Sequence, residues 1–202
     1  MSLLTISNPA AAMAEAYREL RTNLHFASLE TPIKTVLITS PGRQESAASV
    51  AANLAISLAQ TEKRVILVDA DTHQPELHGL FNLNNTSGLM TMLASNAPAL
   101  QESGVPGLQV LGTGPTSQTA SDLLSSPRMT ALIQTLAGQA DMVVFCAPAI
   151  LSVSDAAVLA SQVDAVILAI QVGKTRRDDT QRAKEIMARA KARLIGAVML
   201  HL

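Results

Sequence analysis

The sequence predicts an α/β fold: a doubly wound, mainly parallel sheet with helices on both faces. Three observations point there. Six short apolar runs rich in β-branched residues recur, helical patterns separate them, and the runs are continuous rather than alternating in polarity. Continuous runs suit strands covered on both faces, as parallel strands are. In order, strands are predicted at residues 34–39, 64–69, 108–111, 142–146, 164–170 and 194–200. Between them the spacing predicts helices over 47–60, a broken stretch over 76–94, then 121–137, 153–161 and 175–191. An extra amphipathic helix over 11–28 precedes the first strand. Sheets of this kind bind ligands beyond the carboxyl ends of their strands, so chemistry is sought in the loops after Thr39, Asp69 and Cys146.

The 202 residues are 48% apolar, enough for one well-cored unit, read as an appended helix over 1–30 and an α/β core over 31–202. Fifteen Lys plus Arg against sixteen Asp plus Glu leave a net charge of −1, which gives no long-range pull toward nucleic acid. Aromatics are 2% and Trp is absent, so base-stacking platforms are not expected either. The single cysteine, Cys146, cannot form an intrachain disulfide. Neither an export signal nor a run of about 18 apolar residues is present, and a cytoplasmic chain is expected.

Residues 36–60, VLITSPGRQESAASVAANLAISLAQ, have the strand, glycine loop and helix layout of a phosphate-binding loop. A working loop reads G-x-x-x-x-G-K-[ST]: glycines let amides close on the phosphates, the lysine neutralises charge, and the hydroxyl holds Mg²⁺. The loop here runs on from Gly42 into Ser46, Ala47 and Ala48, the residues at the start of the helix pattern in place of G-K-[ST]. The second glycine, the lysine and the hydroxyl are all missing.

EAYRELRTNLHF, TSPG, AANLA, VILVDAD, the LLSS of 123–126, SDAAVLA, VDAVILAI and GKTR follow the order found in bacterial tyrosine kinases. From about residue 15 to residue 200 the chain resembles that family, whose kinase domains act with polysaccharide co-polymerases in capsule and exopolysaccharide export and are similar to deviant P-loop ATPases of the MinD type. The resemblance implies a loop ending in Gly-Glu-Gly-Lys-Ser-Thr, where this chain has Gln44, Glu45, Ser46, Ala47, Ala48 and Ser49. It implies an Asp-x-Asp after the second strand, present as Asp69 and Asp71, followed by a basic residue where His73 stands. It also implies Asp-x-Pro-Pro after the fourth main strand, where Cys146, Ala147, Pro148 and Ala149 are found, and an adenine-side asparagine at or beside Leu200 and His201.

A charge-assisted hydrogen bond to phosphate contributes roughly 1.5–3 kcal/mol, and several such partners are replaced here. Phosphoryl transfer depends on positioning and charge neutralisation. The expectation is therefore a catalytically degenerate, pseudokinase-like domain with no resident cofactor. The alternative is a divergent ATP-binding tyrosine kinase holding Mg-ATP through Gly42, Arg43, Glu45, Ser46 and Ser49, with Asp69 and Asp71 on the metal. Arg43 or Lys174 could then enter as a relocated cation. For Asp69 and Asp71 a plainer reading stays open, in which they cap the strand end and accept local amides without metal. Ser46 and Ser49 read first as helix N-caps, Cys146 as a small buried hydrophobe, and the scattered histidines show no zinc spacing.

Glu15, Arg18 and Arg21 lie three apart and form one stripe on a helix. They match the Glu-x-x-Arg-x-x-Arg motif through which the resembled family assembles into rings, so a homo-oligomer is implied; the plain alternative is a solvated face with internal ion pairs. A membrane co-polymerase partner and a place at the inner face of the plasma membrane are implied likewise. The family's tyrosine-rich tail has no counterpart before Leu202, and the only tyrosine is Tyr17, so tail autophosphorylation is not expected of this chain.

Overall fold

A computed structural model describes residues 12–42, 47–95, 97–117 and 119–201. Helix α1 (Ala12–Glu30) leads into strand β1 (Thr35–Thr39), helix α2 (Ala47–Ala59) and strand β2 (Val65–Asp69). Short helices α3 (Leu77–Leu80) and α4 (Leu89–Ser95) precede β3 (Gln101–Glu102) and β4 (Leu108–Leu111). Then come α5 (Ala120–Leu124), α6 (Pro127–Gln139), β5 (Met142–Cys146), α7 (Asp155–Ala160), β6 (Ala165–Gln171), α8 (Arg177–Arg189) and β7 (Leu194–Leu200). The sheet order is β3-β4-β2-β5-β1-β6-β7, parallel throughout except for the β3–β4 pair. The doubly wound α/β fold is the one the sequence predicts.

Every residue of β1, β2 and β5 is buried, which is why those segments read as unbroken apolar runs. One helical layer holds α1 and α2 against one face of the sheet; α4 to α8 pack on the other. The amino ends of β1 and β6 are pinned by Asp164, whose Oδ2 accepts the amides of Lys34 and Thr35 at 2.8 Å each and the Thr35 hydroxyl at 2.9 Å. β7 departs from the expectation of double cover. It is an edge strand, and its residues are half-buried or exposed.

Helix α2 is apolar nearly all round, and all its residues except Ser49 are buried. Such a helix needs cover on both sides, and α1 supplies the second. Tyr17 and Leu24 of α1 are buried against it, Arg21 Nη1 donates to Ser57 O at 2.6 Å, and Ser57 Oγ donates to Tyr17 O at 3.3 Å. Burial pushes the Tyr17 phenol up to about 12, opposed by its hydrogen bond with Asn53. At the far end of α1, Arg193 donates to Ala27 O at 3.0 Å and Thr31 O at 3.1 Å, placing a cation at a helix C-terminus where the helix dipole favours one. Because Leu54 of α2 is fully buried in this layer, Leu54→Ala is expected to lower unfolding free energy by about 3 kcal/mol in urea denaturation.

The stretch 76–94 is broken, as the spacing predicts: it divides into α3 and α4, interrupted by Asn82 at φ 53° and the turn before Leu89. Two expectations need correction. The stretch 121–137 divides at Ser125 and Ser126, where Pro127 restarts a helix at its first position. Ser49 lies in the first turn of α2, not at its cap, and Ser46 falls outside the described residues.

Candidate functional site

The loops after β1, β2 and β5 converge at the carboxyl end of the sheet, where β1 sits between β5 and β6. They line one cleft: Ser40 follows β1, Ala47 and Ala48 open α2, Asp71, His73, Gln74 and Glu76 follow β2, Cys146 ends β5 and Ala147 to Ala149 follow it. The three loops singled out from the sequence are the three that meet. Their approach is fixed by backbone bonds, Ala70 N to Cys146 O at 2.8 Å and Ala147 N to Ile38 O at 3.0 Å, and by Thr39 Oγ1 donating to Pro148 O at 2.7 Å.

Ala47 and Ala48 present methyl groups to the cleft and are each 7% exposed. These side chains neither neutralise a phosphate nor ligate a metal. Cys146 is buried; desolvation, with the charges of Asp69, Asp71 and Glu76 adding to it, pushes its thiol well above its ordinary value. It remains a neutral thiol, as the reading of a small buried hydrophobe requires. Among the described residues lining the cleft, His73 is the only one able to carry a positive charge.

The two aspartates occupy different surroundings. Asp69 is 1% exposed: its Oδ2 accepts Glu76 N at 3.0 Å and Leu77 N at 2.9 Å, and its Oδ1 accepts Asp71 N at 3.2 Å. Burial pushes its carboxyl up to about 7, further raised by the Asp71 charge and opposed by the three amides. Asp71 faces the cleft, and its Oδ1 accepts His73 N and Gln74 N at 2.9 Å each. Both side chains therefore accept local amides, as the plainer reading has it, while Asp71 also borders open space.

Gly42 stands beside this loop, its carbonyl accepting Ser40 Oγ at 2.7 Å; the Ser49 carbonyl accepts Asn53 Nδ2 at 2.9 Å and its side chain is outside the lining. Arg43, Glu45 and Ser46 lie outside the described residues. Lys174 follows β6, Leu200 ends β7 and His201 is exposed beyond it; none of the three lines the cleft. On α1, Glu15 and Arg18 form an outward ion pair, while Arg21 turns onto α2. The stripe of three thus splits into two outward residues and one that docks the helix.

The sequence alone did not reveal Asp155. This carboxylate is 4% exposed at the start of α7; Ser121 Oγ of α5 donates to its Oδ2 at 3.1 Å, and His73 Nε2 lies 3.4 Å from the same oxygen. His73 thereby ties the Asp71 loop to the opposite wall. The SDAAVLA motif carried Asp155 in plain view, but its partners lie 34 and 82 positions upstream. Among the described residues no three His, Cys, Asp or Glu side chains are grouped to hold a metal ion.

No family model matches the chain. It is 39% identical over 201 residues to tyrosine-protein kinase YwqD of Bacillus subtilis, covering 98% of this chain and 85% of that protein. It is 30% identical over 194 residues to putative tyrosine-protein kinase CapB of Staphylococcus aureus, covering 95% and 85%. With tyrosine-protein kinase Etk of Escherichia coli strain K12 the identity is 31% over 199 residues, covering 97% of this chain but 27% of that protein. The solved kinase domain of Escherichia coli Etk superposes with a TM-score of 0.95 at 30% identity, covering 100% of this chain and 80% of that one. The chimerical protein CapA2B2 gives 0.94 at 27% identity, with 99% and 89% covered. The septum site-determining protein MinD from Pyrococcus horikoshii OT3, bound to Mg-ADP, gives 0.67 at 20% identity over 82% of this chain and 69% of that one, which establishes a shared fold and no more. The loops that meet at this cleft and the extent of these likenesses place the chain in the family of bacterial tyrosine-protein kinases.

Proposed function

We propose that this chain is a catalytically degenerate member of that family, a pseudokinase whose role is assembly or regulation in capsule or exopolysaccharide production. The observation carrying this reading is Ala47 and Ala48 at the opening of α2, two methyl groups where a phosphate-binding loop needs a cation and a metal-holding hydroxyl. Cys146 in place of a carboxylate and an Asp69 occupied by its own backbone support it. These replacements argue against a resident Mg-ATP. Removing one well-placed donor alone costs roughly 10²–10³ in rate.

A second reading, an ATP-using tyrosine kinase with a rearranged site, has Asp71 at the cleft and the likeness to YwqD in its favour. Calorimetric titration with Mg-ATP and Mg-ADP, together with phosphate release, separates the two. Absence of heat at millimolar nucleotide and background turnover are expected. Micromolar affinity, or turnover abolished by Asp71→Asn, establishes the second reading instead.

The partner in this proposal is the membrane co-polymerase, fused or separate, which would hold the chain at the inner face of the plasma membrane. No described helix is long and apolar enough to cross a membrane. The chain itself assembles as a ring-like homo-oligomer through α1, with Glu15 and Arg18 outward. Glu15→Ala with Arg18→Ala is expected to lower the solution mass without loss of helix content; an unchanged mass removes these residues from the contact. Arg21→Ala tests something else: it loses the bond to Ser57 O, worth about 1 kcal/mol of stability.

A further inference from the structure

The near-neutral total conceals a segregated charge. Residues 174–193 hold eight basic and three acidic residues, against seven basic and thirteen acidic in the remainder. These twenty residues comprise the turn after β6, α8 and the approach to β7. Ala183 and Met187 seat α8 in the core, leaving Arg182, Lys184 and Arg189 exposed along a helix of about 20 Å. Arg182 is paired with Asp179 at 3.5 Å, and Arg176 with Asp178 at 3.9 Å.

The amino end of this segment is the informative part. Lys174, Arg176 and Arg177 are exposed within four positions, and Arg176 caps α8 while Arg177 opens it. Cations there oppose the helix dipole; Asp178 and Asp179 in the first turn complement it, and of the three cations only Arg176 is within ion-pair distance of either. Beside them stand two of the five exposed large apolar side chains among the described residues, Val172 and Met199. Val172 N donates to Leu200 O at 2.9 Å, which sets both at the same end of the edge strand. Cations flanking exposed apolar side chains match the interface of a bilayer, which offers anionic headgroups and, just beneath them, hydrocarbon. An acidic protein surface or a nucleic acid backbone accounts for the cations alone.

We propose that this corner, Val172, Lys174, Arg176, Arg177 and Met199, is a docking surface for anionic phospholipid, with α8 adding longer-range attraction. The contact is peripheral and weak, tuned to act on a chain already held near the membrane. It does not depend on what the cleft binds.

The test is sedimentation of the whole chain with vesicles of phosphatidylcholine alone or with phosphatidylglycerol added. The chain pellets with the anionic vesicles at millimolar lipid and low salt, stays in solution with phosphatidylcholine, and is released as salt screens the attraction. Lys174→Ala, Arg176→Ala and Arg177→Ala together lower the partition coefficient on the order of a hundredfold. Val172→Ser with Met199→Ser weakens binding while keeping its salt dependence, and Lys63→Ala with Arg64→Ala, at the opposite end of the sheet, leaves it unchanged. Circular dichroism confirms that each variant is folded. Failure of the parent to pellet with anionic vesicles overturns the proposal, as does equal pelleting by the triple variant. A solution mass that falls in the triple variant, with no vesicle binding by the parent, identifies the face as a contact between copies instead.

Discussion

Replacing Asp69 with asparagine is expected to remove a decline in stability that the parent shows between about pH 4 and about pH 7. In the native chain this carboxyl takes up its proton at about 7, against an ordinary value of 3.8. Between those values the native state binds more protons than the unfolded chain, so stability falls as pH rises. The contribution is complete below about 4 and gone above about 7, and amounts to about 4 kcal/mol. Asparagine keeps an acceptor for the amides of Glu76 and Leu77 but does not titrate. Urea denaturation across this range, parent against Asp69→Asn, isolates the effect, because every other titrating group is common to both; parallel curves exclude it. The same measurement bears on the cleft. A divalent cation seated beside Asp71 would favour the Asp69 carboxylate and flatten the parent's curve, whereas a degenerate site leaves the curve unchanged in millimolar Mg²⁺.

Gly88→Ala is expected to cost about 3 kcal/mol, enough to rank with the most damaging single substitutions in the chain. A Cβ at this position would run into Gly112 O, Thr113 C and Gly114 N, all backbone atoms that cannot swing aside. The crossing is held from both sides: Leu89 N and Met90 N donate to Gly112 O and Thr113 O, and Gly114 adopts φ 74°. Thr113 Oγ1 donates in turn to Asp69 O at 3.1 Å, so displacement reaches the floor of the cleft. Gly79→Ala in α3 is the control, since its Cβ would meet nothing within 4 Å. Denaturation midpoints should separate the two; equal losses would show that crowding at Gly88 is not the cause.

The layer architecture was legible because β1, β2 and β5 are buried along their whole length and so contain little but apolar residues. β3 was not, because two residues, Gln101 and Glu102, paired antiparallel at an edge carry no apolar run. The stretch 121–137 was read as one helix because apolar spacing continues across the break at Ser125 and Ser126, where Pro127 restarts the helix. Strand order has no local signature, and the side-chain contacts that depend on it were hidden, although the loops that meet were singled out from the fold class. Asp71, Ala47, Ala48 and Cys146 could be singled out from their own neighbours in the chain. The bridge from His73 to Asp155 could not, because it exists only once the loops after β2 and β5 lie side by side. Arg21 shows the same limit: its spacing placed it with Arg18, but its bond to Ser57 is a property of how α1 sits on α2.

That seating also decides the chemical fate of Tyr17. Its side chain is 6% exposed, wedged between two helices with its hydroxyl against Asn53. While α1 stays in place, no kinase, neighbouring or foreign, can bring a phosphoryl donor to that oxygen, so labelling there would report a helix that has peeled away rather than a surface acceptor.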